Sequence, residues 1–121
     1  MFQLKYKTTK NKRINVFFKD DKTIWICYDE LVKLFNVPYD EISISMQKRE
    51  LEGKFTKESV IEYNGKELIN LIAILHIGIG INRIETLSLL DWYNFITREY
   101  DTKTSEEFIE SIKSIMNVKQ V

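Results

Sequence analysis

The residues of this chain that could act as catalytic groups lack the partners that catalysis needs. His76 lies in an apolar run, with no Ser, Cys or Asp at the spacing of a catalytic motif, so a packed histidine is the better interpretation than a general base. Cys27 is the only cysteine and has no neighbouring histidine, which favours a small buried residue. Gly78-Ile-Gly80 lacks the third glycine and the preceding strand of a dinucleotide-binding motif. The sequence therefore predicts no enzyme, no cofactor and no metal site.

A second set of residues, polar and basic, has side chains of the types that contact DNA. If Ile42 and Met46 face the core of a helix that spans this region, the polar residues around them face outward. On such a helix Gln47 is suited to a bidentate contact with adenine and Arg49 to one with guanine. Serine and lysine side chains bond bases or phosphates. The predicted DNA-binding residues are Tyr39, Ser43, Ser45, Gln47, Lys48, Arg49, Lys54, Lys57, Lys10, Lys12 and Arg13.

The charge of the chain is balanced in total but not along its length. The 121 residues, 44% of them apolar, include 18 Lys+Arg and 18 Asp+Glu, which fits one globular domain with its own core. Residues 1–22, here called the basic arm, contain seven basic and two acidic residues, so the arm carries +5 and the rest of the chain −5. A basic arm is either a solvated chain end or an anchor along DNA phosphates.

The composition also bears on the compartment. One cysteine provides no disulfide framework, which favours a reducing interior. The amino terminus has no apolar segment of signal-peptide type, and the longest apolar stretch, residues 68–81, is interrupted by Asn70 and His76. We therefore expect a cytoplasmic protein without a membrane span.

The elements that must position the predicted DNA-binding residues begin with a pair of strands. Residues 14–18 and 23–26 are β-prone runs on either side of a charged turn. Helical spacing follows from Tyr28 to Phe35, and Pro38 ends this helix because proline disfavours helical geometry in the residue before it. A second helix is predicted from Pro38 or Tyr39 to about Leu51. Its expected buried residues are Ile42 and Met46, with Leu51 as a further candidate.

The second half of the chain predicts one hairpin and three helices. Residues 54–63 suggest a strand, and Asn64-Gly65 is a strong turn signal. Residues 68–75, apolar nearly all round, favour a buried helix, and residues 84–100 an amphipathic one. Thr104-Ser-Glu-Glu107 matches a capping box, so a last helix is expected over residues 105–118. Its apolar stripe would pack on the domain itself or on a second copy of the chain.

Together these elements predict an α+β fold, mainly helical, with a winged helix-turn-helix-like core, short β-hairpins and C-terminal helices. Two helices around a tight turn, followed by a hairpin, are the layout of that unit, although paired helices occur in domains of every function. Within one domain we distinguish the basic arm with the first strand (1–22), the winged helix-turn-helix-like region with its helical extension (23–100) and the C-terminal helix (101–121).

The sequence also resembles a known family. Thr23-Ile-Trp-Ile-Cys-Tyr-Asp-Glu-Leu-Val-Lys-Leu-Phe-Asn-Val37 is similar to the opening of RhuM-family (virulence protein RhuM-like) domains, in which a strand leads into a helix-turn-helix. Residues 52–60, 68–74 and 78–82 and the Asp91-Trp92 pair keep the family's order, so the likeness covers about residues 14–100. The resemblance implies DNA binding through this region, an origin in phages or mobile elements, a distant similarity to phage antirepressor amino-terminal domains, and no catalytic activity.

Two functions follow as hypotheses. The first is a small DNA-binding transcriptional regulator of phage or mobile-element type that reads double-stranded DNA with residues 39–49. A homodimer of this regulator would be joined through the C-terminal helices. The second is a phage-encoded protein-interaction module that inhibits a host regulator or defence complex and keeps the fold without DNA readout. Asp40-Glu41 favours the second, because the family has basic or polar residues there and carboxylates would face phosphates.

Overall fold

The computed structural model describes residues 1–100, and these form an α+β fold with an antiparallel five-stranded sheet. The predicted helix over residues 105–118, and the dimer contact assigned to it, lie outside the described residues. The strands are β1 (Phe2–Lys7), β2 (Arg13–Phe18), β3 (Ile24–Cys27), β4 (Val60–Tyr63) and β5 (Lys66–Asn70). The α-helices are α1 (Leu31–Phe35), α2 (Tyr39–Leu51), α3 (Leu71–Ile79) and α4 (Arg83–Tyr100). The strand order is β1-β2-β3-β5-β4.

The first three strands form a meander that includes most of the basic arm. Strands β1 and β2 pair over their full length, from Phe2 opposite Phe18 to Lys7 opposite Arg13. Buried side chains of β2 alternate with less buried ones, so Ile14 and Val16 enter the core while Arg13, Asn15 and Phe17 lie on the opposite face. The strand pair predicted for residues 14–18 and 23–26 is confirmed, because β2 and β3 are antiparallel partners. The interpretation of the arm as a solvated chain end is wrong, because its alternating pattern builds two strands of the sheet.

Helices α1 and α2 are joined by the predicted tight turn. A 3-10 turn over Tyr28–Glu30 leads into α1, and Asn36 ends α1 in the left-handed conformation, at φ 56° and ψ 45°. Pro38 is extended at the amino-terminal boundary of α2, as the sequence predicted. Ile42 is buried and Met46 half-buried, whereas Leu51 is 91% exposed, so its predicted burial is wrong.

The hairpin after α2 is shorter than the sequence suggested. Residues 54–59 form a loop and a 3-10 turn, and only Val60–Tyr63 pairs with β5. Asn64 and Gly65 both have positive φ, which is the conformation expected for this dipeptide in a two-residue hairpin turn. The predicted helix at residues 68–75 is partly wrong: residues 68–70 complete β5, and α3 starts at Leu71 because the Asn70 side chain accepts a hydrogen bond from the Ile72 amide.

The core lies between the sheet and the helices, and its tightest point is where α3 meets α1 and α4. A Cβ atom on Gly78 would lie 2.5 Å from Phe35 Cε1 and would also collide with the Thr86 hydroxyl. Only glycine therefore permits this approach. Within residues 1–100, no helix combines the length and the apolar character that a membrane crossing requires.

Candidate nucleic-acid interface

Helix α2 presents one side to the core and α3, and the other to solvent. Among the predicted contact residues, Tyr39, Gln47 and Lys48 are exposed on α2, and Ser43 is half-buried. The same helix exposes Asp40, Glu41 and Glu50. The solvent side of α2 therefore carries more negative than positive charge, and its donors and acceptors lie among carboxylates.

Two residues predicted to face outward are instead used to attach α2 to α3. Ser45 is 4% exposed, and its hydroxyl donates to the Ile77 carbonyl at 2.7 Å. The Arg49 side chain is 17% exposed; Nη1 donates to the His76 carbonyl at 3.2 Å, and Nε lies 2.7 Å from a Glu52 oxygen. Both contacts satisfy carbonyls of the last turn of α3, where a cation is favoured. The prediction that Ser45 faces outward is wrong, and Arg49 is committed inside the fold.

The lysines that follow α2 are exposed but have acidic neighbours. Lys54 lies in the loop after the helix, and Lys57 begins a 3-10 turn in which Thr56 and Ser59 cap each other. Glu58 lies in the same turn, and hydrogen bonds from its own backbone N–H and from the Thr56 hydroxyl lower its pKa. Glu58 is thus a fixed negative charge next to Lys57, which weakens any phosphate contact at this point.

The basic residues of the β1–β2 hairpin lie near the turn between α1 and α2. Lys12 Nζ donates to Asn36 Oδ1 at 2.9 Å, which joins the loop to the residue that ends α1. Lys10 and Arg13 are exposed on either side of Lys12. The structure thus brings Lys12 to the turn that precedes α2, whereas Lys54 and Lys57 follow the other end of that helix.

A buried carboxylate holds this loop in place. Glu85 is 2% exposed and accepts hydrogen bonds from the Thr9 amide at 2.9 Å, the Thr9 hydroxyl at 2.7 Å and the Tyr6 hydroxyl at 3.0 Å. Its own amide donates to Asn82 Oδ1 at the start of α4. Burial raises the pKa of Tyr6, and the neighbouring Glu85 charge acts in the same direction. Glu85 is buried although it is a charged residue of the amphipathic helix predicted over residues 84–100, because its partners lie in the hairpin.

Two tyrosines form a contact at the amino-terminal end of α2 that the sequence did not indicate. The Tyr28 hydroxyl donates to the Tyr39 hydroxyl at 2.6 Å, and the two rings meet edge to face with centroids 5.9 Å apart. Burial raises the pKa of Tyr28, and its hydrogen bond to Tyr39 acts in the same direction. Tyr39 is therefore held in one orientation although half of its surface is exposed.

Apolar side chains border the solvent side of α2. A shallow groove of about 260 Å³ separates α2 from the corner between α3 and α4, and Ile44, Lys48 and Ile81 contribute to its walls. Ile44 is 53% exposed, and Ile79 and Ile84, near the same corner, are more exposed still. These side chains form an apolar patch beside a mixed set of charges.

The candidate catalytic residues lie in different elements, Cys27 at the end of β3 and His76 in α3. Cys27 is buried with a free thiol, and His76 is half-buried in α3 with its carbonyl bonded to Arg49. Among the side chains that the structure describes, no three His, Cys, Asp or Glu residues converge as metal ligands.

Comparison with known proteins adds no relative: neither a family model, nor a curated protein, nor a solved structure matches this chain.

Proposed function

We propose that this chain is a small DNA-binding transcriptional regulator of phage or mobile-element type, with α2 as the helix that enters the major groove. The observation that carries the proposal is the order of elements: β3, α1, a tight turn, α2 and the β4–β5 hairpin, with β5 pairing between β3 and β4. This order supports a winged helix-turn-helix, in which the helix after the turn would read bases and the hairpin would be the wing.

The exposed polar residues of α2 suit this role in part. Gln47 matches the major-groove edge of adenine, and Ser43 and Lys48 match bases or phosphates. Lys12 beside the Asn36 turn adds a cation near the start of the helix. Ser45 and Arg49 are not readers in this proposal, because both are bonded to α3.

The resemblance to RhuM-family domains supports the same proposal. It rests on the Trp25 strand, the helix that ends at Leu34-Phe35 and the turn that follows, and these residues are β3, α1 and the turn before α2. The phage or mobile-element origin comes from the resemblance alone.

Titration of the chain with labelled duplexes, from its own promoter and of random sequence, tests the proposal at low salt. Gln47→Ala should relax a base preference worth about 1–3 kcal/mol. Lys48→Ala should weaken all duplexes alike and reduce the salt slope by about one. Arg98→Ala, which removes an exposed charge from α4, is the matched control and should change neither quantity. No duplex binding at tens of micromolar protein overturns the proposal.

A protein-interaction module is the second candidate, and the apolar patch beside α2 favours it. Large apolar side chains are more than half exposed on α2 (Ile44), at the end of α3 (Ile79) and in α4 (Ile84). Asp40 and Glu41 of α2 repel phosphates. Such a module would bind a host regulator or defence complex through this patch. A protein captured from host lysate by the native chain but not by Ile44→Glu, with duplex binding absent in both, supports this function. Duplex binding with no such protein refutes it.

A further inference from the structure

The face of the sheet turned away from the helices carries a concentration of positive charge, and neither proposed function uses this face. Lys5 and Lys7 alternate with core-facing residues of β1, and Arg13 precedes the buried Ile14 of β2. At the other end of the sheet, Lys66 lies two residues before Leu68, which packs on the helix-free face. By strand alternation these four cations share one face. No aspartate or glutamate of the five strands points to it.

Aromatic side chains occupy the middle of this face. Trp25, Cys27 and Leu68 are buried there, and Phe17, Ile61 and Tyr63 are half-buried around them. The Phe17 and Tyr63 rings meet edge to face with centroids 6.0 Å apart. Their strands, β2 and β4, are separated by two others and would lie about 14 Å apart in a flat sheet, so the two side chains reach toward each other across this face. The face therefore carries an aromatic pair whose two rings are partly exposed.

The charges at the margin of this surface leave it positive. Lys19 Nζ lies 5.6 Å from the centroid of the Trp25 ring and 3.7 Å from an Asp21 oxygen. Glu30 borders the face by accepting a hydrogen bond from the Asn15 side chain. Asp20 lies with Lys19, Asp21 and Tyr63 around a depression at this margin. These three carboxylates offset three of the five cations. Lys5, Lys7 and Arg13 have no carboxylate beside them on the strands and project from adjacent strands into solvent.

We propose that the helix-free sheet face binds single-stranded nucleic acid. Lys5, Lys7 and Arg13 match successive phosphates of a flexible polyanion, and the partly exposed rings of Phe17 and Tyr63 offer surfaces for unpaired bases. A duplex does not fit as well, because its bases are stacked on each other and present no free ring face to a side chain. An acidic protein would match the cations but would leave the aromatic rings without a stacking partner.

The site is distinct from the solvent side of α2, so this proposal stands whether or not α2 binds duplex DNA. Binding of single strands to the sheet face and binding of duplex DNA to α2 can be tested separately in one titration, because different variants remove the strand cations and the α2 residues. Labelled oligonucleotides of deoxythymidine and of uridine, about 12 nucleotides long, would be compared with a duplex of equal length by fluorescence anisotropy.

The charge test is the triple variant Lys5→Ala/Lys7→Ala/Arg13→Ala. It should weaken binding of the single strands about tenfold or more and lower the salt slope by about two, since each lost phosphate contact contributes about 0.7. The control Lys33→Ala/Arg83→Ala/Arg98→Ala removes the same number of exposed charges from the helices and should leave affinity within about twofold. Equal losses in both variants, or no binding of either oligonucleotide to the native chain, overturn the proposal.

The stacking test is the variant Tyr63→Leu, which keeps an apolar side chain on the face but removes the ring. Affinity for single strands should fall by about fivefold or more, with the duplex unaffected. A measurement on the native chain avoids any loss of folding: photocrosslinking of halogenated uridine or deoxyuridine oligonucleotides should label Tyr63 or Phe17. Crosslinks confined to α2, or a dimer that buries this face and excludes the oligonucleotide, refute the proposal. A preference between the uridine and deoxythymidine strands identifies the nucleic acid as RNA or DNA.

Discussion

The close contact of Gly78 in α3 with α1 and α4 gives a quantitative prediction about the stability of the fold. In Gly78→Ala the new Cβ would lie 2.5 and 2.6 Å from two carbons of the Phe35 ring and would collide with Thr86 Oγ1. Ordinary contacts of this kind are about 3.5–4.0 Å, so the helices must separate by about 1 Å. Overpacking of a buried site costs about 1–3 kcal/mol or more. Because ring and backbone must both move here, we expect a loss of about 3 kcal/mol.

Thermal unfolding followed by circular dichroism measures this loss. A domain of this size loses about 4–8 °C of Tm for each kcal/mol, so Gly78→Ala should lower Tm by about 12–24 °C. Gly80→Ala is the matched control, since its Cβ would lie 3.3 Å from Arg49 Nη1, the end of a flexible side chain; its Tm should change by less than about 4 °C.

A second substitution identifies the cause of the loss. Thr86→Ala removes one of the two collisions and should restore part of the Tm in the Gly78→Ala background, as a coupling between neighbours. A Gly78→Ala protein as stable as Gly80→Ala would refute the packing described for this junction.

Two further predictions concern the buried polar network of the hairpin. Glu85→Gln should cost about 1.5–3 kcal/mol in urea unfolding, because an amide cannot accept all the hydrogen bonds that Thr9 and Tyr6 donate to the carboxylate; Asp91→Asn, exposed on the same helix, should stay within about 0.5 kcal/mol. The raised pKa of Tyr6 makes its contribution complete below about pH 10 and progressively lost above it, by up to about 1.4 kcal/mol per pH unit. The free energy of unfolding should therefore decline less steeply with rising pH in Tyr6→Phe than in the native chain. An equally steep decline would contradict this assignment.

The elements that the sequence predicted well are those specified by neighbouring residues. The start of α2 follows from Pro38, and the hairpin turn follows from the Asn64-Gly65 pair, and the structure confirms both. In each case the decisive backbone conformation is restricted by one or two residues.

Most of the features that the sequence does not predict depend on contacts between residues that are far apart in the chain. Glu85 is buried because Thr9 and Tyr6, 76 and 79 residues away, donate to it, and no pattern within α4 contains that information. Ser45 faces inward only because the last turn of α3 presents an unsatisfied carbonyl to it. The sequence does not predict β1, because the lysines at alternate positions of this half-buried strand are equally typical of a solvated arm.

The sheet also explains how a chain of zero net charge presents a cationic surface. The +5 of residues 1–22 is folded into strands and their turns, and alternation turns Lys5, Lys7 and Arg13 to the face without helices. The acidic excess lies elsewhere, with Asp40 and Glu41 on the solvent side of α2. Surface charges separated by more than a Debye length, about 8–10 Å, are largely screened at physiological salt. Each face therefore acts on a ligand through its own charges, so the acidic residues of α2 do not cancel the positive charge of the sheet face.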